Sequence, residues 1–451
     1  MIRRYLTAAV GALLASTAPA AAQDVAITNA RLVVGDGSAP VEGATVVVRN
    51  GRVVAAGSGV SAPAGIRTID AAGRYVTPGI IAGFSRMAIV EVDGVQETND
   101  ISANETPFNA SIDVVPAVNP RASAVTLNRA EGITRAVVAP DTGHGSIFAG
   151  QGALIDLGAD MDAVSVPRAF QFMEYGEAGA RAAGGSRPAA YAMLRNALME
   201  ARDYARNPDR FPTRGTETFL NRLDAEALAP VATGRVPLLV HVERASDILV
   251  LLDLKQQMPA LRLVLVGAAE GWMVADRIAA AHVPVIASAL MDLPERFETL
   301  AATQSNIGRM RAAGVTVAIG MIDDDEARQA RWVKQYAGNL VGLTHVRGAT
   351  GLSWDQAFAA ISSAPAEALG LGGEYGSLRP GRHGDVVIWS GDPLELGTVA
   401  ETVFIDGVEQ PLDTRPRRLR DRYLHGPDGS LPPARRRACA RLPASADARR
   451  R

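Results

Sequence analysis

The sequence predicts an α/β protein, a distorted (β/α)8 barrel with a small β-sandwich formed by the N- and C-terminal segments. Three observations predict it. Short, continuous apolar runs alternate with helical patterns through the middle of the chain. β-branched runs punctuated by turn residues flank that middle on both sides. With 451 residues, 47% of them hydrophobic and 21% charged, there is ample material for a large core.

The elements follow in order. Residues 1–22 lie within "MIRRYLTAAVGALLASTAPAAAQD", with a basic start at Arg3 and Arg4, an apolar run from Leu6 to Ala18, and small residues at Ala20 to Ala22. The apolar run is too short to span a bilayer and a cleavage-like site follows it, so it reads as a secretory signal cut near Ala22. Paired arginines leave ordinary and twin-arginine export both open. Residues 23–76 form the first part of the small β-domain. Asn50-Gly51, between "TVVV" and "RVVAAG", is a two-residue hairpin turn, because both positions need positive φ.

Residues 77–374 carry the barrel. "TRAVVAP", "VPLLVHV", "LRLVLVG", "VPVIAS" and "VTVAIGM" are apolar strands, with helical patterns such as "RASDILVLLDLKQQ" between several of them. Continuous apolar strands separated by helices indicate a parallel sheet covered on both faces. A doubly wound open sheet competes with the barrel, but no Gly-rich phosphate fingerprint follows a first strand. The fourth strand has no clear run of its own within 160–230. "LSWDQAFAAISS" reads as a helix opened by a capping box, Ser353 with Gln356. Residues 375–412, with "GDVVIWSGDP" and "TVFIDGVEQ", complete the β-domain, and 413–451 is an arginine-rich tail, partly disordered by composition.

The formal net charge of −2 argues against nucleic acid as the main partner. Beyond the signal, no stretch is apolar and long enough for a transmembrane anchor. The sole cysteine, Cys439, excludes an internal disulfide framework. A periplasmic or secreted protein acting on a small molecule is the resulting expectation.

"NARLVVGDGSAPVEGATVVVRNGRVVAAG", "IDAAGRYVTPGII", "NPRASAVTLNRAEGITRAVVAP", "PLLVHVERASDI" and "SAPAEALGLGGEYGSLRPGRHGDVVIWSGDP" span Asn29 to Pro393. Together they resemble the amidohydrolase superfamily, nearest to its imidazolonepropionase-like exported branch. The resemblance implies hydrolysis of C–N bonds in non-peptide, dipeptide or cyclic amides. It also implies a divalent metal such as zinc at the C-terminal mouth of the barrel, lowering the pKa of a bound water. The ligands it implies are His-x-His after the first strand, a bridging Lys or Glu on the fourth, histidines on the fifth and sixth, and an Asp after the eighth.

The chain departs from that pattern. Phe84 and Arg86 stand at the His-x-His positions, and a guanidinium repels a cation. His241 matches the fifth-strand histidine and is the only ligand retained. The sixth strand offers Gly267 and Glu270, and Ile322 stands where the aspartate belongs, with Asp323 and Asp324 following as possible rescuers and catalytic candidates. No lysine precedes Lys255, so a bridging lysine on the fourth strand is excluded; Glu174 or Glu177 could replace it. Each candidate has a structural alternative. His241 alone could be a strand-end histidine bonded to its neighbours, and the acidic run from Asp323 a solvated loop or helix start.

His144, in the Gly-rich stretch "APDTGHGSIFAGQGALI" read as a loop over the mouth, could bind substrate, act as a base, or be a plain loop residue. Arg86 could bind a substrate carboxylate or fill the cavity. His282 falls at the non-catalytic end, and His345, His383 and His425 have no constellation around them. Two functions are therefore expected: an amidohydrolase with a degraded metal site, or a catalytically inactive ligand- or partner-binding barrel. Partners would be a small molecule, and either a second copy or an active paralogue.

Overall fold

A computed structural model describes residues 22–92, 94–143, 145–211, 218–322 and 327–424. Residues 1–21 of the expected signal, His144, Asp323, Asp324, His425 and Cys439 lie outside the described residues.

Two eight-stranded sheets organise the chain. β1 (Val25–Leu32), β2 (Val41–Arg49), β3 (Arg52–Gly57), β4 (Arg67–Asp70) and β5 (Tyr75–Pro78) begin the first. The barrel strands are β6 (Ile80–Ser85), β7 (Ile133–Val138), β8 (Phe148–Asp156), β9 (Val164–Glu174), β10 (Leu238–Val242), β11 (Leu263–Gly267), β12 (Val285–Ala287) and β13 (Val317–Ile319). β14 (Val386–Trp389), β15 (Ala400–Ile405) and β16 (Val408–Glu409) then return to the first sheet, where β14 pairs antiparallel with β5. The two ends of the chain thus share one sheet. Its apolar residues, among them Val25, Ile27, Val46, Val386 and Phe404, form their own cluster.

In the second sheet β6 and β7 run parallel, as do β9 through β13. β8 is antiparallel to both its neighbours. Closure comes from backbone bonds: Met321 N–H donates to the Phe84 carbonyl at 3.0 Å, while Ile319 and Ile81 donate to Ala360 and Ile361, each at 2.9 Å. The sheet is a nearly closed barrel, so the doubly wound alternative is overturned.

Side chains alternate along each strand. Phe170 and Phe172, Leu239, Val264 and Val266, Ile286 and Ala318 pack in the barrel interior, and their sequence neighbours face the surrounding helices. One expectation needs correction. The stretch after His144 is not all loop, because Phe148–Asp156 is strand β8. Its glycines have a packing cause: a Cβ on Gly152 would lie 2.0 Å from the Phe170 ring of the partner strand. β9 is the fourth-strand element that the apolar pattern did not reveal. The capping box at Ser353 and Gln356 is present on the helix Trp354–Ala359. In the tail, the helix Arg415–Leu424 buries no residue.

Candidate site at the barrel mouth

His241 and Glu174 are register partners on β10 and β9, so both side chains emerge side by side at the C-terminal end of the barrel. The His241 Nδ1 lies 2.7 Å from Glu174 Oε2, and its Nε2 lies 2.7 Å from Glu243 Oε1. Glu243 is two residues beyond His241, on the same face of the extended chain. It is held in place by the Ala269 N–H, which donates to its Oε2 at 2.7 Å.

Gly267 at the end of β11 makes room for this carboxylate. A Cβ there would lie 2.2 Å from Glu243 Oε1, and the backbone adopts φ of +87°. Where the resemblance implies a sixth-strand histidine, the chain has no side chain at all, and a carboxylate from the preceding strand occupies the space. Glu270 takes a structural place instead: it accepts from the Ala245 and Ala301 N–H groups at 3.0 and 3.1 Å.

Burial alone pushes the His241 imidazole down, but Glu174 and Glu243 more than reverse that and hold it well above its ordinary value. With a carboxylate at each nitrogen, the protonated form of the ring is favoured. Further out, Glu298 accepts from the Glu177 N–H at 2.7 Å and from Arg187 at 3.3 Å. Arg187 and Arg244 both reach Asp247 at 2.7 Å. Burial, with Glu177 and Glu243 nearby, raises the Glu298 carboxyl despite the opposing Glu177 N–H and His241.

Phe84 and Arg86 form the other side. The Phe84 ring packs edge-on against Phe172 at 5.2 Å, continuing the apolar interior. The Arg86 guanidinium stands 5.1 Å over Phe84 and 5.6 Å over Phe172, donates to the carbonyls of Ala139 and Pro140, and lies 3.7 Å from Asp141. Burial pushes its pKa down, while Asp141 and Glu174 oppose. Glu174 therefore links the two mouth residues singled out in the sequence.

These donors do not fit a divalent metal. A ligating imidazole needs a free lone pair, and both His241 nitrogens are engaged by carboxylates. One neighbouring position is a phenyl ring and the next a permanent cation. Among the described residues, no group of three or more His, Cys, Asp or Glu side chains is arranged to hold a metal ion.

The remaining histidines divide. His282, with φ of +51°, precedes β12 at the opposite end of the barrel, as expected. His383 does have a constellation, contrary to the sequence reading. It bonds Asp406, stacks on Tyr375 at 4.4 Å and lies 3.8 Å from Glu374. Glu243 was missed, although its place two residues after His241 was a usable signal. Arg187 and Glu298 carried none, because only the tertiary fold brings them to the mouth.

The amidohydrolase family Amidohydro_3 matches residues 243–409. The amidohydrolase tasK of Hapsidospora irregularis is 25% identical over 374 residues, 76% of this chain and 37% of that protein. The chain therefore spans little more than a third of that relative. The crystal structure of an amidohydrolase from Thermotoga maritima MSB8 superposes with a TM-score of 0.73 at 23% identity, over 85% of this chain and 99% of that one. A molinate hydrolase shares the fold more loosely, with a TM-score of 0.52 at 16% identity over 87% of this chain and 95% of its own. Residues 243–409 thus match an amidohydrolase family in sequence, and the chain shares the barrel fold of an amidohydrolase over most of its length.

Proposed function

We propose that this is an exported amidohydrolase-superfamily protein with a degraded metal site, whose barrel binds a small organic ligand or a protein partner without hydrolysing it. The observation that carries this reading is the doubly clamped His241. In the family pattern this imidazole would lend its lone pair to a metal; here two carboxylates engage both nitrogens. Phe84, Arg86 and Gly267 remove the other implied imidazoles, so each departure supports the next.

A second reading, hydrolysis of a C–N bond, is favoured by the sequence match over 243–409 and by the relatives' names. Metal analysis and turnover separate the two. Mature protein purified without chelator should carry far less than one zinc, manganese or iron per chain, and should leave N-acyl amino acids, dipeptides and cyclic ureides intact. Stoichiometric metal that disappears in His241→Ala, together with turnover, would establish the hydrolase.

The partner reading draws on the loop that carries Glu298. Leu293, Phe297 and Leu300 on it are exposed, with Phe297 at 83%. Apolar side chains grouped at a functional rim suit a protein contact. Light scattering should show a dimer, or a heteromer with an active paralogue when the two are mixed, and Phe297→Glu should disperse it. A strictly monomeric species under both conditions would remove the partner reading.

A further inference from the structure

Charge divides unevenly along the chain. Residues 412–451 hold twelve arginines, four aspartates and no lysine or glutamate, a formal net of +8, so a total of −2 leaves −10 on residues 1–411. A basic segment on an acidic body is expected to fold back onto it. The structure shows otherwise. The helix Arg415–Leu424 carries five arginines and one aspartate and buries no residue. Among the described residues its ion pairs stay within the segment: Arg418 meets Asp413 at 3.2 Å, and Arg420 meets Asp421 at 2.8 Å.

The helix grows from a fixed root. Arg129 Nε donates to the Pro411 carbonyl at 3.2 Å, Leu412 packs against the core and Thr414 is buried. The Thr414 hydroxyl accepts from the Arg417 N–H at 3.3 Å, an N-cap, and Pro416 sits in the first turn, where a missing N–H is harmless. Arg129 precedes β7, and its guanidinium reaches the Leu157 carbonyl just past the end of β8. The root is therefore at the barrel end opposite the mouth, and a surface held by the helix leaves the mouth free. The opposing charges of Asp160, which acts on Arg129, and Asp413 lie at this root rather than along the helix.

Pro416, Leu419 and Tyr423 follow at i, i+3 and i+7, a single stripe along the helix. Leu419 is 40% and Tyr423 58% exposed, so the stripe faces solvent. By the same periodicity Arg415 and Arg422 border it on one side and Arg420 on the other, while Asp421 falls on the opposite face. An apolar stripe bordered by cations fits a lipid interface: apolar groups enter between the headgroups, and long arginine side chains reach back to the phosphates. A nucleic acid would use the cations and leave Leu419 and Tyr423 without a role. Among the described residues no helix is long and apolar enough to cross a membrane, so such an attachment is peripheral. We propose that the helix Arg415–Leu424 docks the protein on an anionic phospholipid surface, with Pro416, Leu419 and Tyr423 entering the headgroup layer and Arg415, Arg420 and Arg422 pairing with lipid phosphates.

Flotation of the mature protein with phosphatidylcholine–phosphatidylglycerol vesicles tests this, with pure phosphatidylcholine vesicles as the control. The protein should float with the anionic vesicles and stay free of the neutral ones. Arg415→Gln combined with Arg422→Gln should weaken partitioning at least about tenfold, since each arginine near an anionic surface contributes about fivefold. Leu419→Ser combined with Tyr423→Ser keeps every charge and should also weaken it at least about tenfold. Asp421→Asn, on the opposite face, should not weaken it. None of these variants removes a buried side chain, so Tm should stay unchanged. The proposal is overturned if the wild type does not float with anionic vesicles, if neutral vesicles capture it equally, if Asp421→Asn weakens flotation, or if the serine pair floats like the wild type. Flotation that survives the serine pair and is competed away by a single-stranded oligonucleotide assigns the arginines to a polyanion instead. Stripe-dependent self-association without flotation assigns the helix to a second copy.

Discussion

Arg135→Met is expected to cost about 3–5 kcal/mol of folding stability, the loss typical of removing one partner from a buried ion pair. Arg135 is on β7, alternating with Val137 toward the barrel interior, and its side chain is 1% exposed. Its guanidinium meets Asp385 at 2.6 and 3.1 Å and Asp406 at 2.6 Å, donates to Ser165, and lies 4.5 Å from the Tyr375 ring centre. Both aspartates come from the C-terminal part of the terminal sheet, so this one cation fastens that sheet to the barrel. Methionine fills a similar volume but leaves Asp385 desolvated and unpaired. Denaturant unfolding should show the lower midpoint, and adding Asp385→Asn to Arg135→Met should restore part of the loss. A cost below about 1 kcal/mol, as in an exposed pair, would mean that water replaces the arginine.

The same cluster sets an acid limit. Burial pushes the Asp406 carboxyl up, but His383 and Arg135 outweigh it and hold it at about 2. A depressed carboxylate stabilises the fold above its unfolded pKa of about 3.9, and that contribution is lost as pH falls from there toward 2. Asp406 is 41% exposed, so screening trims its share to about 1 kcal/mol. Arg135→Met should flatten this acid limb of the stability profile as well as lower it.

What the sequence disclosed followed from periodicity. Five barrel strands were readable as apolar runs because a strand covered on both faces has no polar alternation. β8 and β9 were hidden for opposite reasons. β8 carries Gly150 and Gly152, which look like loop residues but leave space for Ile112 and Phe170. β9 carries Gln171 between two phenylalanines, a polar residue on what should be an apolar outer face. At the mouth, Phe84 and Arg86 could be read as departures because they fall at fixed positions after a recognisable strand. The replacement for the missing ligands could not be read, since it depends on Glu243 entering a space that only the absence of a Gly267 side chain creates. Likewise His383 looked isolated because Arg135 and Asp406 lie 248 and 23 residues away in sequence.

His241→Ala is expected to destabilise the protein by about 3–5 kcal/mol, although it removes a side chain that a metal enzyme would spare for catalysis. The Glu174 and Glu243 side chains, 10% and 2% exposed, would face each other without the cation between them. The pH dependence identifies the cause. His241 is raised above its ordinary value by these carboxylates, so its contribution is complete below the unfolded pKa of about 6.5 and is lost as pH rises through the folded value. Wild-type Tm should therefore fall on the alkaline side, and His241→Ala should lack that limb. Glu243→Gln should move the loss to lower pH, because one of the two carboxylates that hold the proton is gone. Nitrogen NMR of the ring at neutral pH should report both nitrogens protonated. A metal-ligating imidazole behaves oppositely in each respect: one nitrogen carries no proton, alkaline pH favours rather than weakens the site, and a chelator lowers Tm. Chelator-insensitive melting together with alkaline loss would thus assign His241 to a charge clamp, and the reverse pattern would return it to a metal centre.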